Sequence, residues 1–294
     1  MKTTPILAAL ALAHLASAAA HAAAPATIGD SFLSFSWNVS NTAGTGTGLF
    51  YFGTDGTFRQ LSLSFNAAPP AESFYDTSRT GTYVYTPSAS DPNQATIALT
   101  VAQPSLYLGY FMALEYSGAT GGMIAYSPQG ANGPMFYTQG SFSQLVRLQN
   151  DFLVNVSNRT TLRAADTAIS GFVIQGGGMR LVLARLIGPS LALFGVSPVS
   201  RNPQLSLFQG TGTSQIAAAQ KWDSGALNTK GYDAQAMSWI FSLAGAFPLS
   251  AGSGDLAFFS VMSPGVYTAQ ASDSTVAAAG GSALTEVYIL PYSG

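Results

Sequence analysis

The sequence predicts an all-β protein of two antiparallel modules: a small barrel or meander, then a β-sandwich with one short helix. Three observations predict it. Apolar and polar residues alternate with period two over several short runs, the pattern of strands with one buried face. Gly, Pro, Asn and Asp punctuate those runs at the short intervals that antiparallel turns require. No long helical periodicity occurs before residue 230.

The first 24 residues read as a secretory signal peptide. Lys2 supplies the basic start, residues 6–15 the apolar stretch, and Ala16-Ser17-Ala18 and Ala20-His21-Ala22 the small-x-small cleavage pattern. The apolar run is shorter than the roughly 20 residues of a membrane span, and no later segment is long and apolar enough for one. The expected location is therefore secreted, periplasmic or on the cell surface. Removing this segment has a chemical consequence. The chain has two histidines and no cysteine, and His14 and His21 both lie in the segment that leaves. The exported chain would keep ten basic and thirteen acidic residues, because Lys2 is also lost.

The first module is expected over residues 25–145. Leu61, Leu63 and Phe65 alternate with Ser62 and Ser64, after Phe58 three positions earlier. Asp55-Gly56 between the runs 49–52 and 57–65 predicts a hairpin. Tyr83 and Tyr85 alternate within 81–86, and Ile97, Leu99 and Val101 within 96–101. Residues 106–116 form a longer run, with Leu106, Leu108, Tyr110, Met112 and Leu114 on one face. Pro69-Pro70, Asp91-Pro92 and Gly121-Gly122 end other runs. Such spacing fits a barrel or a sandwich.

The second module is expected over residues 146–294. Strands are predicted at 152–156, 169–175, 180–186, 204–208, 256–262, 266–271 and 283–290. Ser263-Pro264-Gly265-Val266 reads as a type II turn closing a hairpin. Asp233 is the predicted N-cap of a helix over 234–244, with Gly245 as its stop. Met237, Ile240, Phe241 and Ala244 would share its buried face. A single large sandwich spanning both halves stays open as an alternative.

The second half resembles a β-rich domain that recurs in secreted and surface proteins of environmental bacteria. The resemblance rests on Ile169-Ser-Gly-Phe-Val-Ile174, Arg180-Leu-Val-Leu-Ala-Arg-Leu-Ile-Gly-Pro-Ser-Leu191, Pro203-Gln-Leu-Ser-Leu-Phe208 and Pro264-Gly-Val-Tyr-Thr-Ala-Gln270, in that order. It covers most of residues 152–290 and implies an exported address and a β fold, with no reaction attached. Lys221 in Ala219-Gln-Lys-Trp-Asp223 stands where that domain commonly has an acidic residue, which counts against cation binding there. The first half more loosely resembles small bacterial β-meander modules, through Asp55–Phe58 and Gly81–Tyr85.

Composition narrows the chemistry. Only 8% of residues are charged, against about 25% in typical soluble proteins, so no basic face for nucleic acid is expected. Without Cys or His, thiol nucleophiles, His-based triads and the usual transition-metal ligands are missing. No catalytic residue, cofactor or metal site is expected. Gly188-Pro189-Ser190-Leu191-Ala192 lacks the last glycine of a nucleophile elbow and any His base. Gly44-Thr-Gly-Thr-Gly48 and Gln175-Gly-Gly-Gly178 lead into strands, not helices, so they read as hairpin turns and not as phosphate loops. Glu72, Glu115 and Glu286 are the only glutamates.

Aromatics are abundant, with 18 Phe, 13 Tyr and 3 Trp. Rings stack on sugars when exposed and fill cores when buried. Trp37 and Trp222 lie near loop sequence and are the candidates for exposure, Trp239 is expected in the core, and for any one ring a place in the sheet or core is the commoner outcome. Trp222 and Asp223 are the residues singled out for binding. The functional expectation is an exported, non-catalytic binding or structural protein of the envelope, recognising a polysaccharide or another envelope protein. The alternatives are a small-ligand carrier with a hollow barrel, a carboxylate-dependent glycoside hydrolase, and an outer-membrane barrel, against which the many turns and Pro69-Pro70 count.

Overall fold

A computed structural model describes residues 22–39, 44–66, 74–76, 79–102, 108–130, 133–134, 138–149, 154–164, 166–210, 214–224, 232–275 and 280–294. The chain is all-β and divides into two compact units, residues 1–147 with Gly294, and residues 148–293.

The first unit contains β1 (Ser31–Val39), β2 (Gly44–Phe52), β3 (Thr57–Asn66), β4 (Phe74–Asp76), β5 (Arg79–Pro87), β6 (Gln94–Val101), β7 (Gly109–Gly118), β8 (Gly121–Gly130), β9 (Gly133–Pro134) and β10 (Thr138–Arg147). Eight of them pair antiparallel in the order β1-β2-β3-β5-β6-β7-β8-β10. β10 also pairs with β1, from Ser31↔Val146 to Asn38↔Gln139, so the sheet closes into a barrel. The Asp55-Gly56 hairpin joins β2 and β3 as expected. Gly56 takes φ 77°, and Asp55 accepts hydrogen bonds from the Thr57 amide and hydroxyl. The three-residue step from Phe58 to Leu61 marks a bulge, where Leu49 pairs with Ser62 and Phe50 with Gln60.

Alternate residues of each strand fill the barrel. Trp37 stacks on Phe35 and on Tyr126, and Phe35 meets Tyr126 at a tilt, with centroids 5.3–5.5 Å apart. Phe50, Phe52, Phe58, Tyr110, Tyr116 and Phe142 continue the same buried cluster. Tyr116 donates to Gln144, which donates to Ser31, which donates to the Ile28 carbonyl, so the buried polar atoms form a chain. Burial pushes the Tyr116 phenol well above its usual range. The described lumen is thus packed with rings, which eight-stranded barrels are just wide enough to hold. Its inside is aromatic, and outward positions of β5 and β6 carry Thr82, Thr86, Thr96 and Thr100. Three expectations are corrected here. Residues 44–48 are strand, not a turn. Trp37 is buried in the lumen. Leu108 is exposed just ahead of β7, while Tyr110, Met112 and Leu114 do face the core; Leu106, Pro69 and Pro70 lie outside the described residues.

The second unit contains β11 (Val154–Leu162), β12 (Ala168–Ile174), β13 (Arg180–Ile187), β14 (Gln204–Gln209), β15 (Ser214–Ala218), β16 (Gln220–Lys221), β17 (Leu256–Met262), β18 (Gly265–Ser272) and β19 (Gly281–Ser293). One sheet runs β11-β19-β13-β17-β16 and the other β12-β18-β14-β15. Val182, Ala184, Leu186, Leu256 and Val287 of the first meet Phe172, Ile174, Leu205, Leu207 and Tyr267 of the second in one core.

Consecutive strands often change sheet. β12 and β13 lie in different sheets, so Gln175-Gly-Gly-Gly178 is an arch and not a hairpin; Gly176 takes φ 97°. β17 and β18 also lie in different sheets, so Ser263-Pro264 is an arch too, and Gly265 lacks the positive φ of a type II turn.

A helix, α1 (Ala234–Leu243), covers the other face of the five-stranded sheet. The Asp233 carboxylate accepts from the Ala236 amide at 2.8 Å, the expected N-cap. Met237, Ile240, Phe241 and Ala244 are all buried, and Gly245 takes φ 63° just beyond.

Candidate functional site

Trp222 and Asp223 follow β16. The Trp222 side chain is only 6% exposed, its ring 5.7 Å from that of Phe241 on α1, and its indole N–H donates to the Ser250 carbonyl. Asp223 accepts from the Gly252 amide. The two residues clamp the loop before β17; Trp222 offers no open ring to a ligand. The local sequence is loop-like, but the helix supplies an apolar surface that a large indole covers at a gain of a few kcal/mol. Trp239, expected in the core, is half-buried.

The described carboxylates of this unit are mostly tied to structure. Asp255 is buried at the start of β17 and accepts from the Gly188 and Ser190 amides, holding a 3-10 helix over Pro189–Phe194. Ser190 is buried in that turn. Asp273 accepts four hydrogen bonds, from the Ser200 hydroxyl, the Asn202 amide, and the Thr275 amide and hydroxyl. Burial would raise its pKa; these donors outweigh burial and bring it down to about 2.

Glu286 of β19 sits opposite Arg185 of β13 and forms a buried ion pair with it. The guanidinium donates through Nε and Nη2 to one carboxylate oxygen, and through Nη1 to the Phe247 carbonyl. The Tyr288 hydroxyl donates to the other oxygen. Phe247 and Phe241 flank the guanidinium at 4.6 and 4.9 Å. Glu115 lies in the barrel wall on β7, and Glu72 lies outside the described residues. Among the described residues no cluster of metal-ligating side chains occurs.

The feature that stands out is the outer face of the four-stranded sheet. None of its strands, AISGFVI, GVYTAQAS, QLSLFQ and SQIAA, contains a charged residue. Their inward residues fill the sandwich core. Their outward residues form rows across the sheet: Ile169–Gln270–Ser206–Ala218, Gly171–Thr268–Phe208–Gln215, and Val173–Val266. Ile169, Val173 and Val266 are 59%, 50% and 53% exposed. Gly171 leaves a notch between Ile169 and Val173, since a Cβ there would meet only the Tyr267 carbonyl oxygen, at 3.9 Å. Adjacent strands are about 4.8 Å apart, so the face is about 15 Å wide.

A cleft of about 240 Å³ opens beside β14 and β15. Ile216, Phe258, Met262 and Tyr267 give it apolar walls, with Gln209 and Ser260 as polar groups. Burial raises the Tyr267 pKa, and its hydroxyl donates to the Ser263 carbonyl at 2.8 Å. The outer face presents amides, hydroxyls and apolar groups and no charge; the cleft lies on the inter-sheet side, walled by Tyr267 and by Phe258 and Met262 of β17. Sequence reasoning that looked for exposed rings missed this surface. Its signal was present as strands wholly free of charged residues.

No protein-family model matches the chain, and no curated protein matches it. Solved structures to which it is similar include an exo-β-1,3-galactanase from Phanerochaete chrysosporium in complex with galactose, at 6% identity over 87% of this chain and 81% of that one, with a TM-score of 0.21. Another is the VP2 subviral particle of infectious bursal disease virus, at 10% identity over 98% and 78%, with a TM-score of 0.26. At such scores neither likeness bears on function.

Proposed function

We propose that the chain is an exported, non-catalytic binding protein of the cell envelope that recognises a neutral polysaccharide on the outer face of the four-stranded sheet. The single observation that carries this reading is that face: uncharged throughout, with Gln204, Ser206 and Gln270 interleaved with Ile169, Val173, Phe208 and Val266. Sugars present hydroxyls at their edges and C–H groups on their faces. Amide and hydroxyl side chains satisfy the first, and apolar side chains cover the second. A charged side chain would lose hydration with no counter-charge to meet.

The engaged state of Glu286 supports a binding role over carboxylate hydrolysis, because both of its oxygens already hold partners. The ring-filled lumen supports it over the carrier reading. Export follows from residues 1–24, and N-terminal sequencing of the protein released by its host tests it.

The test of the ligand is titration calorimetry with a panel of neutral and acidic polysaccharides. Binding of a neutral polymer, weakened at least tenfold by Phe208→Ala or Gln270→Ala, is the expected result. No binding by any neutral polymer, or equal binding by those variants, removes the reading.

A further inference from the structure

The four-stranded sheet ends at β12, which pairs with β18 alone among the described strands. Among the described residues, no backbone hydrogen bond reaches β12 from its other side. Natural edge strands are usually guarded by a Lys, a Pro, an inward charge or a bulge, because an open row of amides and carbonyls recruits another strand. β12 has none of these. Its seven residues, Ala168–Ile174, include no charge and no proline, and its register with β18 runs unbroken. Ile169 and Val173 stand exposed on this edge.

The strand is also complementary to itself. When a second β12 runs antiparallel about Gly171, Ile169 falls opposite Val173 of the second copy, and Val173 opposite its Ile169. On the inner side Ser170 meets Phe172, and Ala168 meets Ile174, so each pair sets a small residue against a large one. β-branched pairs of the Ile–Val kind are favoured across antiparallel strands, and no like charges oppose one another. Gly171 falls on the two-fold axis, where its missing side chain lets the backbones approach.

We propose that β12 is a homodimer contact, joining two four-stranded sheets into one antiparallel sheet of eight strands. The contact is isologous, as a closed two-fold interface must be. Opposed residues in an antiparallel pair point to the same side, so the two uncharged faces become continuous. The dimer itself does not depend on what that face binds.

Multi-angle light scattering and sedimentation of the ligand-free protein over a wide concentration range test the contact. Wild type is expected to pass from monomer to dimer as concentration rises, and to stop there. The variants I169K/V173K and I169E/V173E are each expected to stay monomeric, with unchanged circular dichroism. Mixing them restores a dimer, because position 169 of one copy lies opposite position 173 of the other. A second measurement uses the absence of cysteine. G171C is expected to form a disulfide-linked dimer on mild oxidation, and V266C, on the neighbouring strand, is not. A wild type that remains monomeric up to millimolar protein overturns the proposal. So does growth into open-ended assemblies, a dimer indifferent to both double variants, or capture of a foreign strand at this edge without self-association. Loss of polysaccharide binding by itself leaves these readouts unchanged.

Discussion

The ring of Phe35 lies against Gly48, its antiparallel partner across β1 and β2, so closely that a Cβ at Gly48 would sit 2.5 Å from the ring. Trp37 and Gly46 repeat the arrangement one pair further along, at 2.2 Å. Gly46 and Gly48 serve here as floor for lumen rings. Gly48→Ala is expected to displace Phe35 and lower stability by about 1–3 kcal/mol, the usual cost of overpacking. Thermal unfolding checks it; an unchanged Tm would show that the ring has room to move.

The Arg185–Glu286 pair yields an asymmetric prediction. Removing one partner leaves the other buried and uncompensated, so Glu286→Gln or Arg185→Met should each cost about 3–5 kcal/mol. Replacing both, as R185M/E286L, should recover much of that loss. Denaturant titration of the four proteins completes the cycle. Additive losses in the double variant would contradict the ion-pair account.

Asp273 makes stability depend on acid pH. Its folded pKa, about 2, lies below the ordinary aspartate value of 3.8. The unfolded chain therefore takes up the proton first as pH falls. The stabilisation is complete above pH 4 and fades as pH drops toward 2. Asp273→Asn should cost about 1–3 kcal/mol at neutral pH, because one charged acceptor of several donors is lost. The difference between the two proteins should shrink below pH 3. A difference that is constant from pH 7 to pH 2 would contradict this.

Trp222→Ala separates a structural tryptophan from a ligand-binding one. Loss of the buried indole should lower stability by about 3–5 kcal/mol. Polysaccharide affinity, measured well below the new Tm, should stay within twofold of wild type. A large affinity loss in a folded variant would return Trp222 to the binding surface.

Local features were legible from the chain. The cap at Asp233, the buried stripe of Met237, Ile240 and Phe241, and the Asp55-Gly56 hairpin all depend on neighbours within a few residues. The strands 256–262 and 204–208 likewise announce themselves by composition. Other readings failed where the partner is remote. Residues 175–178 and 263–264 look like hairpin turns, yet each carries the chain from one sheet to the other. Trp222 has loop neighbours in sequence and a helix above it in space. The short strands β15 and β16 escaped notice because they are brief and mostly exposed.

By itself the sequence determined the all-β class, the short helix and its cap, the lack of His and Cys chemistry after residue 21, and the sparse charge. These follow from periodicity, turn propensity and composition, which act over a few residues or need no geometry. Only the tertiary structure decided that the first sheet closes on itself, that its rings turn inward, and that four uncharged strands lie side by side with one face open. Strand order and facing are set by pairings between residues tens of positions apart. Burial of one face is settled only once every strand has found its neighbour.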